Sequence, residues 1–278
     1  MSEELIRGGG PPRRIVCLTE ETTEVLYRMG EEGRIVGISA FTVRPPEARR
    51  DKPVVSQFVK ADVEKIAALE PDLVLGFSDL QADICAALIR LGIEVHCFNQ
   101  RSVGEILDVV RRLGAMIGEP EKGTTLALEM SDGLERIAMA GARFPFRPRV
   151  YFEEWPDPLI SGIRWVSELI EIAGGEDVFS ELRGARLAKD RTLSGPEAVL
   201  SRNPDVYLAS WCGRKFRRDY LDKRPGWTEA AFMKHERVFE IESSTILQPG
   251  PGALTDGVLA IHRILAQVSG GTPATLTR

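Results

Sequence analysis

The chain has 278 residues, 43% of them hydrophobic and 28% charged, with a formal net charge of −5. That is the make-up of a globular protein long enough for two domains, and with no basic excess it argues against a nucleic-acid surface. No apolar run approaches the ~20 residues of a membrane span.

The opening MSEELIRGGGPPRR lacks the apolar stretch and cleavage site of a secretory leader. As written, the chain is expected to be cytoplasmic, and periplasmic or lipid-anchored if a leader was trimmed. RIVCL is a short β-rich run, and EETTEVLYRM has helical spacing with a stop at Gly30. RIVGIS and DKPVVS are strands. DVEKIAAL is a helix with Asp62 as N-cap, and Pro71 ends it. LVLGF, the helix QADICAALIRLG, EVHCF and the helix VGEILDVVRRLGAMIG complete a regular alternation, which predicts parallel α/β units.

From Glu119 to Phe144 the spacing is helical throughout, with Leu126, Met130, Leu134 and Ile137 on one face. A helix of roughly 25 residues spans about 35–40 Å. The alternation then restarts with RVYFEE, the helix WVSELIEIAGG, the helix GPEAVLSR, DVYLAS, RVFEI and a last helix, GVLAIHRILAQVSG. The second half repeats a signal of the first. EPDLVLGFS and NPDVYLASW each follow a helix, and each has a Glu seven residues before its Pro: Glu64 before Pro71, Glu197 before Pro204. The expected organisation is an α/β lobe over 13–118, a long connecting helix over 119–145 and a second α/β lobe over 146–270.

Taken together, these segments resemble the substrate-binding proteins of ABC importers for cobalamin, iron–siderophore complexes and haem. The likeness runs from about Arg13 to Ala266. The resemblance implies the class III fold of that family: two Rossmann-like lobes with parallel sheets, joined by one long helix, with the ligand in the cleft between lobes. It is nearest to cobalamin-binding members, where one aromatic stands at the place of SAF and another at that of SQF, here Phe41 and Phe58. The family also implies one exposed Glu per lobe docking on Arg residues of a membrane permease, and Glu64 and Glu197 are the candidates. A monomer, with no covalently held cofactor, is expected.

Independently of the resemblance, ligands of open α/β sheets sit beyond the carboxyl ends of the strands. The loops there carry Phe41, Phe58, Phe77, Trp155 and Trp211, with Trp165 opening a nearby helix. These rings suit a planar or bulky apolar ligand, or else cap the lobe cores. Glu20, Glu21, Glu153, Glu154 and Asp157 add acids at the same ends. They discourage a free anion and suit a cation, an amine or a neutral ligand rich in hydroxyl and amide donors. Equally, they could only cap and solvate helix ends. Arg214 and Lys215 could pair with those acids or grip a carboxylate or phosphate. GPGALTDG reads as a rigid loop lining the cleft near Gln248.

Cys17, Cys85 and Cys97 read as small buried hydrophobes and Cys212 as more open. No CxxC pair suggests zinc, and His96, His235 and His262 show no ligand spacing, so no metal site is expected. A bare transition-metal site of Cys212 with Glu20, Glu153 or Glu154 is the exception that the residue types permit. There is no GxSxG or HExxH, and no glycine-rich phosphate loop follows a strand. The expectation is a non-catalytic binder of a cobalamin-like corrinoid or another metal chelate. A cytoplasmic sensor or carrier of the same fold, and an enzyme using the acidic pairs, are the alternatives.

Overall fold

The computed structural model describes residues 10–274; the first nine residues, on which the leader question turns, lie outside the described residues. The chain divides into two compact units. One runs up to Gln100 and includes Leu107–Glu129; the other comprises Arg101–Ile106 and everything from Met130 onward.

In the first unit, β1 (Ile15–Cys17), β2 (Ile35–Ser39), β3 (Val54–Ser56), β4 (Leu73–Phe77) and β5 (Val95–Phe98) form one parallel sheet in the order β3-β2-β1-β4-β5. β1 and β4 are buried at every position, as central parallel strands covered on both faces must be. The crossovers are α1 (Glu20–Arg28), α2 (Ala48–Asp51), α3 (Val63–Ala68) and α4 (Ala82–Arg90), and α5 (Val103–Met116) follows β5. Asp62 caps α3 as expected, accepting from Lys65 N at 2.9 Å. The core is aliphatic, built on Val16, Leu18, Val55, Ile66, Val74, Ile84 and Leu88. Cys97, expected inside, is exposed, because β5 is an edge strand.

The predicted long helix is α6 (Pro120–Gly141), 22 residues that begin in the first unit and end in the second. Its start packs backbone to backbone on α5: a Cβ on Gly114 would stand 2.7 Å from the Cα of Gly123, so only glycine fits.

The second unit restarts with β6 (Arg149–Pro156), β7 (Leu159–Ser161), α7 (Arg164–Ile172), β8 (Glu176–Asp177), α8 (Pro196–Leu200) and β9 (Val206–Ala209). α9 (Asp219–Asp222), α10 (Ala231–Lys234), β10 (Val238–Glu240), α11 (Ser243–Ile246) and α12 (Val258–Ser269) follow. β10, β9, β6 and β8 are parallel, but β7 folds back antiparallel on the second half of β6. That hairpin was not expected, since RVYFEE was read as ending at Glu154. GPGALTDG is also corrected. Ala253–Gly257 is a π-helical turn, mostly buried, that leads directly into α12.

The repeated Pro-Asp signal sits at the starts of the strands, at the opposite ends from the loops named above. Asp72 accepts from Arg13 N and Arg14 N at 2.7 and 2.9 Å, and the Arg14 side chain returns to the carbonyls of Leu69 and Glu70. Asp205 accepts from Arg149 N at 2.8 Å, and the Arg149 side chain returns to the carbonyl of Arg202. Glu70 and Asn203, each just before the Pro, have φ of 47° and 46°. The repeat is a clamp joining helix end to strand start.

Candidate functional site

The order β3-β2-β1-β4-β5 reverses direction at β1/β4, so the crevice at their carboxyl ends is where an open α/β sheet receives a ligand. In the first unit Gln81 fills it. Its Oε1 accepts from Phe77 N at 2.8 Å, and its Nε2 donates to Leu18 O at 3.2 Å and to Phe58 O at 2.8 Å. One fully buried amide thus ties together the ends of β1 and β4 and the loop after β3. The rims of those loops remain open. Phe41 is 52% exposed, Phe58 is half-buried, and Val43, Val59 and Leu80 are exposed beside them in sequence. Phe77 is a core residue of β4.

Glu20 does not face solvent. It is buried, and Oε2 accepts from Val43 N and from Arg44 N (3.2 Å), holding the loop that presents Phe41. Burial pushes its carboxyl up to about 7, the two backbone N–H groups pull the other way, and the nearby Glu24 and Glu21 add to the rise. Glu21 is buried too, accepting from Thr19 Oγ1 at 2.7 Å.

In the second unit the crevice between β6 and β9 is filled by a charged group. Tyr151, Glu153 and Trp155 alternate along β6, and the register sets Glu153 opposite the small Ala209. Glu153, with no exposed surface, accepts from Tyr151 Oη (3.1 Å), Tyr207 Oη (2.7 Å) and Trp211 Nε1 (3.1 Å). Arg224 adds two more bonds, at 2.6 and 3.0 Å, and stacks on Trp227. Burial, and then the Glu153 carboxylate, push both tyrosine hydroxyls well above their ordinary range. Arg191, 1% exposed, holds Glu154 through bonds of 2.7 and 3.2 Å. These acids therefore pair with Arg224 and Arg191, not with Arg214 or Lys215 as considered from the sequence.

The aromatics of this unit divide. Trp211 lies in the core, and Trp165, 3% exposed, donates to Ile246 O at 2.9 Å. Trp155 is half-buried, with Nε1 bonded to Asp157 O at 2.8 Å. Arg214, half-buried, stands over three rings: Tyr220 at 4.9 Å, Trp211 at 5.7 Å and Trp155 at 5.9 Å. Gln248 is half-buried just ahead of the π-helical turn, and Glu64 and Glu197 are exposed in the first turns of α3 and α8.

Sequence reasoning missed Gln81, Arg191 and Arg224. One signal was available: an acid alternating with Tyr151 and Trp155 on a buried strand needs a base, and the cluster GRKFRRDYLDKR could have supplied it. Among the described residues no group of three or more His, Cys, Asp or Glu is placed to hold a metal ion. None of their helices is long and apolar enough to cross a membrane.

The fold is shared with known proteins. The family model described as periplasmic binding protein matches residues 15–245. An uncharacterized ABC transporter substrate-binding lipoprotein of Bacillus subtilis, YvrC, is 27% identical over 89% of this chain and 78% of its own. A vitamin B12-binding protein of Vibrio campbellii is 28% identical over 72% of each chain. The solved periplasmic heme binding protein from Pseudomonas aeruginosa superposes with a TM-score of 0.79 at 19% identity, covering 95% of each chain. With the match running across both sheets, the chain belongs to the periplasmic binding protein family.

Proposed function

We propose that this protein binds a corrinoid or a similar bulky metal chelate without changing it chemically, and delivers it to an ABC importer. The observation that carries the reading is the open rim of rings and apolar side chains on the strand-end loops, above hubs whose polar groups are already bonded. Such a rim offers flat contact surface, while the carboxylates best suited to acid–base work are committed to Arg224, Arg191 and backbone N–H groups. The relatives named for vitamin B12 and for ABC transport support both halves of the proposal.

The proposed contacts are Phe41 and Phe58 in the first unit and Trp155, Arg214 and Gln248 in the second. Trp211, Trp165, Glu20 and Glu154 support them from beneath. Stacking on one ring is worth about 1–3 kcal/mol, so Phe41→Ala or Trp155→Ala should weaken cyanocobalamin or cobinamide binding by roughly 5- to 150-fold. Equilibrium dialysis against wild type checks this. Equal affinity in all three proteins would sink the assignment of contacts. A wild type that binds neither compound would sink the ligand class.

Glu64 and Glu197 are the proposed permease contacts. Both are exposed, each in the first turn of the helix ahead of β4 or β9. Reversing both charges should abolish transporter-coupled uptake and leave ligand affinity unchanged. Unaltered uptake would favour the soluble sensor or carrier.

A further inference from the structure

A second set of charged residues, none of them among these proposed contacts, belongs wholly to the second unit. A cavity of about 220 Å³ is lined by Arg101, Arg164, Arg183, Arg186, Glu105 and Ile163, among others. Four arginines and one glutamate stand among the lining residues. That carboxylate is already occupied: Glu105 Oε2 accepts from Arg101 N at 2.6 Å and from Ser102 N at 3.0 Å. Those two bonds, with burial opposing them, hold the Glu105 carboxyl below its usual range.

Two of the arginines have acid partners outside the cavity lining. Glu168 takes Arg164 at 2.8 Å and Val103 N at 2.7 Å, and Glu171 takes Arg183 at 2.7 Å. Neither is among the residues lining the cavity. Arg186 is exposed and has no hydrogen-bond or ion-pair partner among the described residues.

The helix that opens here breaks a local rule. α7 starts with Arg164, has no acid in its first turn and receives no side-chain cap. A cation at the positive end of a helix dipole is unfavourable, and helices ordinarily place acids there. Conflicts of this kind concentrate at functional sites. An oxyanion in the cavity would resolve it. It would meet the uncapped start of α7 and planar guanidinium forks that match carboxylate and phosphate oxygens. The volume suits a multi-atom group, since one water takes only about 30 Å³.

We infer that this cavity binds a carboxylate or phosphate oxyanion. The group comes either as a free small anion or as a pendant arm of the transported ligand. The inference goes beyond the corrinoid reading, and its citrate arm does not depend on it.

The test is calorimetric titration of the full chain at low ionic strength with citrate and pyrophosphate, and separately with cyanocobalamin, which carries a phosphodiester, and cobinamide, which lacks it. Arg186→Gln, alone and with Arg164→Gln, is compared with wild type, and Arg186→Lys serves as the conservative control. Because Arg186 is exposed and unbonded, its loss should leave the thermal midpoint unchanged. A charge-assisted bond corresponds to roughly 10- to 150-fold in affinity. A loss of that size for citrate or pyrophosphate, partly restored by lysine, establishes the free-anion site. A loss for cyanocobalamin but not cobinamide establishes the pendant arm. Equal binding of all four probes by wild type and variants, or no binding of any by wild type, overturns the inference. If wild type binds citrate but neither corrinoid, the ligand reading fails and the cavity stands.

Discussion

The two units run one plan with opposite chemistry at its centre. In the first, the core is aliphatic and the strand ends are tied by Gln81, a neutral amide making three bonds. In the second, the core is aromatic, with Tyr151, Tyr207, Trp211, Trp227 and Phe232 packed together, and the centre is the Glu153–Arg224 ion pair. The rings explain the charge. Buried tyrosine hydroxyls and indole N–H groups need acceptors, and one carboxylate serves three of them. An unpaired buried carboxylate would be very unfavourable, so the guanidinium follows. An aliphatic core makes no such demand.

Breaking each hub measures that difference. Arg224→Ala strands a buried charge and should destabilise the second unit by about 3–5 kcal/mol. Gln81→Ala leaves one N–H and two carbonyls without that partner and should cost the first unit about 1–3 kcal/mol. All four tryptophans lie in the second unit. In urea, Trp fluorescence should therefore shift strongly for Arg224→Ala and little for Gln81→Ala, while far-UV circular dichroism reports both. Similar fluorescence shifts would refute the contrast.

The next effect belongs to the first unit. Glu20 keeps its proton to about 7 when folded, against 4.5 for an ordinary Glu, so the native state binds more protons than the unfolded state between those values. The contribution is fully present below about 4.5 and is lost as pH rises through about 7. A shift of this size corresponds to about 3 kcal/mol. Glu20→Gln should flatten that part of the stability–pH curve and raise stability at pH 8. An unchanged slope in urea titrations across the range would show that Glu20 is ionised in the folded protein.

The smallest effects test the clamps. Asp72 accepts two backbone N–H groups and Asp205 one, both near the surface. Asp72→Ala should cost about 1–2 kcal/mol and Asp205→Ala about 1 kcal/mol, read from midpoints in urea. A larger loss at Asp205 would reverse the order that the bond count sets.

Much of the fold was legible along the chain. Strands such as LVLGF are short apolar runs, and α5 and α6 have sustained helical spacing, so local pattern suffices for both. The β7 hairpin was not legible, because Leu159–Ser161 is too short to carry a period and exists by pairing with β6. The turn at Ala253–Gly257 was read as loop because glycine and proline ordinarily punctuate, whereas most of this segment is buried where α12 begins.

For the site, the sequence alone determined which loops follow the strands and which rings and acids they carry, because both depend only on order along the chain. It also determined that the Pro-Asp signal occurs twice. Tertiary structure decided what each of those side chains does. Phe41 is exposed while Trp211 is core, and Glu20 secures a loop. Glu153 is neutralised by an arginine 71 positions away. Burial and ion pairing depend on neighbours distant in sequence, and no local pattern encodes which distant neighbour arrives.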